Sequence, residues 1–439
     1  MREVRMRASR AWTIRGLAAS ATVLAITFGV TPHLPPQAAA ALPYNVVIIV
    51  TDDQRWDMIR RDFTPEIWNR LVIPGRSFKN AFVPNPLCCP SRASILSGNH
   101  SHTTGVWRNR GPHGGFGAFG DKHTIAVDFD AAGYRTAMIG KYLNGYAAGK
   151  KRYVPPGWDR WFATESRYYD YGVTTQSRLL RFGSDPEDHQ TGVIARQAKR
   201  FVRRSVSAED PFFLYLSFFA PHAPSTPEPI DVGRFDWVTP ADTDTPKVRH
   251  GMLEAAFGVD RAVGALVQSL PDHTIVLYLS DNGFLWGEHG LQRKGKPYDE
   301  SIRIPMILTA LDGGYAPLAG THDLVLNVDA RPTLTRAAGV PMLTRSEGVN
   351  WNGSQYVSRD VFVIHNYPNN VSLPSFCGVR LRGWMFTRRS DGSELLFDMR
   401  ADPEQETNLA GEPSFQAERD RLLLEAQDAC DPPPPGYVW

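Results

Sequence analysis

At 439 residues, 42% of them hydrophobic, the chain is too long for one small domain and apolar enough to bury a sizeable core. Lys and Arg (48) nearly balance Asp and Glu (46) for a formal charge of +2, and five arginines in residues 1–41 leave the remainder slightly negative. Neither balance suits a nucleic-acid binder or long-range steering of a polyanion.

Residues 1–41 read as a secretory leader, with an arginine-rich start, an apolar run from Leu17 to Val30 and small residues in PPQAAAAL. The run is short for a bilayer span and is weakened by Thr27, Gly29 and the prolines that follow, so cleavage near Ala40 and secretion are expected, with no stable membrane anchor. A catalytic domain is then expected over 42–340 and a C-terminal subdomain over 341–439. Export bears on the cysteines: with Cys88 and Cys89 adjacent, Cys377 and Cys430 are left either to form a disulfide or to stand as free thiols.

Four apolar runs without alternation each end in residues able to do chemistry. Asn45 to Val50 leads to Asp52 and Asp53, Arg135 to Ile139 to Lys141, Phe212 to Phe219 to His222, and Thr274 to Leu279 to Asp281 and Asn282. Such runs suit strands buried on both faces, as in a parallel sheet covered by helices, where ligands bind at the carboxyl ends of the strands. Helical segments are predicted between them over 191–205 and 251–270, the latter with Leu253, Ala256, Phe257, Val263 and Val267 near helical spacing. This alternation predicts an α/β fold with a large, mostly parallel sheet. Irregular intervals rich in Pro, Gly and aromatic residues, at 108–120, 168–188 and 221–249, are expected to wall a substrate pocket. From Pro341 onward, short β-rich runs at 361–364, 378–388 and 394–397 precede a helix over 414–429, which predicts a small antiparallel sheet with a closing helix.

Asp52, Asp53, Asp281 and Asn282 offer only oxygen ligands. Adjacent carboxylates repel unless a cation lies between them, and an all-oxygen set selects a hard divalent ion, calcium before magnesium where the site is crowded. The stretch from Pro84 to Gly98 reads PNPLCCPSRASILSG, and Pro90 suits the first turn of a helix. Cys88 would then precede a helix N-terminus, where free N–H groups and Arg92 are expected to depress a thiol pKa or hold an anion.

Cys-x-Pro-Ser-Arg followed by Ala-Ser-x-Leu-x-Gly resembles the signature of the type I sulfatases, in which the first cysteine is oxidised to formylglycine, and Cys88 fills that position. TDDQ and SDNG resemble the two metal pairs of that family, so the resemblance implies a metal held by Asp52, Asp53, Asp281, Asn282 and the modified Cys88. GKYLN, from Gly140 to Asn144, resembles the N-acetylglucosamine-6-sulfatase branch, APH ending at His222 resembles the active-site histidine segment, and Lys294 occupies the position of the second sulfate-binding lysine. The match runs from about Tyr44 to Ala410 and is nearest to the N-acetylglucosamine-6-sulfatases and extracellular heparan 6-O-sulfatases. Leu143 stands where many arylsulfatases carry a histidine, so that role is not carried over, and Asn144 and His289 are the polar candidates for substrate contact.

The resemblance implies an alkaline-phosphatase-like fold, a bound Ca2+, a formylglycine-generating enzyme as maturation partner, and a sulfated saccharide or small sulfate ester as substrate. It also implies a mechanism. The metal, Arg92, Lys141 and Lys294 would screen the sulfate oxygens, and a hydroxyl of the hydrated aldehyde at Cys88 would attack sulfur with Asp281 or a neighbouring carboxylate as base. His222 would protonate the leaving oxygen. Two other readings share these residues. A phospho-ester hydrolase of the same superfamily would favour a Thr or Ser nucleophile in place of the cysteine, and a sulfated-glycan-binding protein with unconverted Cys88 would be expected to have eroded metal or lysine positions.

Overall fold

The computed structural model describes residues 43–146, 149, 152–239, 246–352, 356–370 and 373–439. The expected leader lies outside them. Five central strands run parallel: β1 (Asn45–Asp52), β2 (Arg135–Lys141), β3 (Arg160–Thr164), β4 (Phe212–Pro221) and β5 (Thr274–Ser280). Their order across the sheet is β5-β1-β4-β2-β3. The four runs singled out in the sequence are therefore four adjacent strands, and the residues that follow them share one edge of the sheet.

Antiparallel strands complete the nine-stranded sheet. Met306–Ala310 and Arg76–Ser77 lie beyond β5, while Gly172–Thr175 and Leu179–Arg181 lie beyond β3. The interval 168–188 is thus partly a sheet-edge hairpin, where the sequence reading expected an irregular pocket wall. Its strands have only four and three residues, too short to carry an alternation signal.

Alternate residues of β1 face two separate cores. Val46, Ile48 and Val50 pack with helix α1 (Cys88–Ser97) and the helices Ile125–Ala131 and Ala330–Ala337 on one face. Val47 and Ile49 pack with α2 (Gln190–Ser207) and α3 (Pro246–Val267) on the other. Burial on both faces is what removes the alternation from these strands. Helix α2 shows the complementary pattern, burying Val193, Ile194, Ala198, Phe201 and Val202 as one stripe.

The C-terminal sheet is antiparallel in the order β6 (Val361–Asn366), β7 (Phe376–Leu381), β8 (Trp384–Arg389), β9 (Glu394–Asp398). Leu422 and Ala426 of helix α4 (Gln416–Ala429) cover it by packing on Val379, Phe386 and Leu396. Cys377 and Cys430 are disulfide-bonded across this contact, 53 residues apart in sequence, whereas Cys88 and Cys89 are free. The other face of the sheet shares a core with the large domain, in which Phe362, Ile364, Met385 and Phe397 meet Phe82, Leu285 and Ile302. Residues 43–439 accordingly form one compact unit. Among the described residues no helix is long and apolar enough to cross a membrane.

Candidate active site

The site lies at the carboxyl ends of β5, β1, β4 and β2. Strand β1 delivers Asp52, and a register slip against β4 between Val50 and Asp52 is followed by Asp53 in the left-handed region at φ 68°. That conformation is uncommon away from glycine, and the surroundings hold it: the Asp53 amide donates to Asp281 Oδ1 at 3.2 Å. The turn lets both carboxylates serve one centre.

Helix α1 begins at Cys88, two residues earlier than Pro90 suggested, after an extended Leu87. It is buried along its whole length and ends on Gly98 at φ 72°. Cys88 Sγ lies 3.3 Å from Asp52 Oδ1 and 2.7 Å from Lys294 Nζ. One turn on, Arg92 Nε donates to Asp281 Oδ2 at 2.6 Å, and its Nη1 donates to the Lys141 carbonyl at 3.1 Å and to Ser217 Oγ. Lys141 pairs with Asp52, and Lys294 with Asp53. Three cations and three carboxylates therefore alternate in a cluster in which Arg92, Asp52 and Asp281 are wholly buried.

Electrostatics divides these groups. Burial acts to raise Asp52, but Lys141, with His222, Lys294 and Arg92, holds it far below the usual carboxylate range. Burial and Asp52 raise Asp281 despite Arg92. Lys294 is held well above the ordinary lysine range by Asp53 against its own burial. Cys88 corrects the expectation of a depressed thiol: burial and the adjacent Asp52 push it up to about 12, outweighing Lys141 and Lys294. Helix position and Arg92 suggested the opposite sign because Asp52, 36 residues away in sequence, was not part of that argument.

Asp52, Asp53, Cys88 and His222 offer donor atoms within 4.8 Å of one another, and this group could hold a metal ion. Asp281 and Asn282 adjoin it. Asn282 Nδ2 donates to Asp53 Oδ1 at 2.7 Å, while Asn282 Oδ1 is buried without a hydrogen-bond partner. An orphaned carbonyl oxygen beside paired carboxylates fits the oxygen set of a hard divalent cation. His222, just past β4, has Nε2 3.7 Å from Asp53 Oδ2 and Nδ1 2.6 Å from the Ala223 carbonyl, with its ring stacked on Phe219. The Tyr168 hydroxyl donates to the His222 carbonyl at 2.8 Å.

Two cavities of about 380 Å³ each flank this cluster. Asn144 lines the first with Arg110, Lys141, Thr164, Glu165 and Arg167. His222 and Lys294 line the second with Asp53, Lys296, Asn366 and Asn369. His289 lines neither: its ring stacks on Tyr298 at 4.0 Å and its Nε2 lies 3.3 Å from Glu300. The sequence reading singled out neither Ser217 nor Asn109, whose Oδ1 accepts the Cys89 amide at 2.8 Å, nor the segment 366–370. Only the last had a local signal, the turn-forming run NYPNN after a strand.

A family model described as Sulfatase matches residues 44–340. The chain belongs to the sulfatase family. In this sulfatase a second model, described as N-sulphoglucosamine sulphohydrolase, C-terminal, matches residues 287–429 and so takes in the C-terminal sheet and helix. The chain is 31% identical over 354 residues to a putative extracellular sulfatase Sulf-1 homolog of Caenorhabditis elegans, covering 70% of this chain and 48% of the relative. It is 31% identical over 360 residues to the N-acetylglucosamine-6-sulfatase of Homo sapiens, covering 71% of this chain and 64% of that protein. The sulfatase thus spans less than two thirds of these curated relatives. Among solved structures, a protein in complex with its substrate D-glucosamine-2-N,6-O-disulfate superposes with a TM-score of 0.74 at 22% identity, over 90% of this chain and 99% of the other, a likeness of fold.

Proposed function

We propose that this chain is a secreted sulfatase that hydrolyses sulfate monoesters, with an O-sulfated sugar of the glucosamine-6-sulfate type as substrate. In this reading it uses a formylglycine made from Cys88 and a bound calcium ion. Residues 1–41 are its leader, and a formylglycine-generating enzyme is its maturation partner. The preference for a 6-sulfated glucosamine draws on the relatives named N-acetylglucosamine-6-sulfatase.

The setting of Cys88 carries the reading. A thiol pushed up to about 12 is no nucleophile near neutrality, yet its sulfur touches Lys294 and Asp52 at the centre of the charged cluster. Such a placement suits a side chain converted into something else. A hydrated aldehyde at this position supplies an oxygen nucleophile with a second hydroxyl for expelling sulfate. A divalent cation held by Asp52, Asp53, Asp281 and Asn282 supplies positive charge against the sulfate oxygens.

The remaining tasks fall to residues of the chain. Lys141 and Lys294 supply fixed positive charge on either side of position 88, where charge develops as the ester breaks. Arg92 anchors Asp281 and the carbonyl of Lys141, so it positions both a base and a cation. The Nδ1–H of His222 is given to the Ala223 carbonyl, which assigns the tautomer. The neutral ring then presents Nε2 as an acceptor, and only the imidazolium presents a proton for the leaving oxygen.

Two measurements test this. Protein secreted from its own source should release inorganic sulfate from 6-O-sulfated glucosamine, and Cys88→Ala should abolish release; release that survives the substitution refutes the reading. In the active protein the tryptic peptide from Asn80 to Arg92 should show the mass deficit of an aldehyde replacing a thiol, placed on Cys88 by fragmentation.

A further inference from the structure

We propose that the cavity beside Lys141 is a second anion subsite, in which Arg110 and Arg167 take a carboxylate or a second sulfate carried by the sugar whose ester is cleaved or by its neighbour. This rests on the sulfatase reading and deepens it from a sulfate ester to a saccharide with at least two negative groups.

The cavity shares a wall with the reactive centre. Lys141 lines it, pairs with Asp52 and gives its carbonyl to Arg92, so a ligand there lies next to the scissile group. Arg110 and Arg167 enter from separate segments, one from the loop after α1 and the other from the turn after β3. Both are exposed, and among the described residues neither guanidinium has a hydrogen bond or ion pair. The wholly buried Arg92 and Arg331, by contrast, are spent on carboxylates. The one carboxylate in the lining is Glu165, whose Oε2 accepts the Gly172 amide at 2.8 Å.

The polar floor fits a sugar. Asn144 Oδ1 is buried without a hydrogen-bond partner, and as an acceptor it calls for a hydroxyl or amide N–H from the ligand. The Asn144 main chain is fixed by the Phe116 amide, which donates to its carbonyl at 2.7 Å. Guanidinium forks match carboxylate and sulfate oxygens bidentately, and two of them at the mouth of a cavity floored by a neutral acceptor describe an anionic sugar. A small aryl sulfate reaching only Lys141 and Lys294 would leave both arginines in water.

The test uses the matured full-length protein and two probes, glucosamine-6-sulfate and its N-sulfated counterpart. The wild-type kcat/KM ratio should favour the doubly charged sugar about tenfold or more, as expected for charge-assisted hydrogen bonds, mainly through KM. Arg110→Gln with Arg167→Gln should bring the ratio close to one. A second pair, a disaccharide with and without a uronate carboxylate, asks whether the anion is carboxylate or sulfate. A wild-type ratio near one for both pairs, or a ratio untouched by the double substitution, overturns the subsite. Calorimetric binding of the same sugars to Cys88→Ala protein gives the same comparison without turnover. Absence of sulfate release from every ester would therefore sink the sulfatase reading, while the affinity ratio still decides the subsite.

Discussion

Arg92 Nε meets Asp281 Oδ2 at 2.6 Å with both side chains wholly buried, so a residue of the helix that presents Cys88 is tied to the carboxyl end of a central strand. The pair is the joint between the Cys88 helix and the sheet. Removing one partner strands the other as an uncompensated buried charge, which costs about 3–5 kcal/mol. Arg92→Ala should lower the urea midpoint accordingly and abolish sulfate release. Arg92→Lys should restore little, because one ammonium cannot serve Asp281, Ser217 and the Lys141 carbonyl together. Near-normal activity of Arg92→Lys would show that the fork geometry is dispensable.

His222 is assigned the proton for the leaving oxygen, and its burden depends on the leaving group. A nitrophenolate leaves without help, whereas a sugar alkoxide does not. His222→Gln should therefore slow sulfate release from a sulfated sugar by about 10²–10⁴-fold and that from 4-nitrophenyl sulfate far less. Equal losses on the two substrates would argue that the ring acts on the sulfate itself. Tyr168→Phe removes the hydroxyl that holds the His222 carbonyl, and it should reproduce the same substrate bias at smaller amplitude.

The metal reading has a thermodynamic consequence. An ion that binds only the folded protein stabilises it by about 2.7 kcal/mol when present at about a hundred times its Kd. Chelation should lower Tm and abolish sulfate release, with calcium restoring both. Asn282→Ala removes the orphaned oxygen and should raise the calcium concentration needed for the Tm shift. A Tm and activity indifferent to chelator would leave side chains of the cluster, Lys141, Lys294 and Arg92 among them, to balance Asp52 and Asp53.

What could be read from the chain without coordinates follows from where the signal is stored. Strands β1, β2, β4 and β5 are buried on both faces, so their runs of Val, Ile, Leu and Phe are local and plain, and Asp52, Lys141, His222 and Asp281 inherit their place from strand ends. The hairpin at Gly172–Thr175 and Leu179–Arg181 left no such trace because it is short and only partly buried. The raised Cys88 thiol and the placing of Asn366 to Asn369 at the second cavity could not be read for another reason. Each depends on a contact between segments far apart in sequence, Asp52 with Cys88 and the C-terminal sheet with the strand ends.

A cluster of histidines lies behind the Cys88 helix. His100 and His102 follow α1, and their rings lie 6.5 Å and 5.8 Å from that of His365 on β6. The His365 amide donates to the Pro84 carbonyl, so the cluster sits where the C-terminal sheet docks on the segment leading to Cys88. His365 is fully buried and neither ring nitrogen has a hydrogen-bond partner. Burial and the two neighbouring histidines hold His365 well below its ordinary range, and burial, with His102 and Arg359, lowers His100 to about 4 although Glu347 and Asp329 act to raise it. Above pH 6.5 both folded and unfolded chains leave His100 and His365 neutral, so these two carry no pH dependence there. As pH falls through 6.5 the unfolded chain takes up protons that the folded chain refuses, and stability drops by about 1.4 kcal/mol per pH unit for each ring. Urea midpoints taken from pH 7.5 down to pH 5 should fall with that slope. His365→Phe should remove about half of it while keeping the fold, and an unaltered slope in that variant would move the acid sensitivity elsewhere.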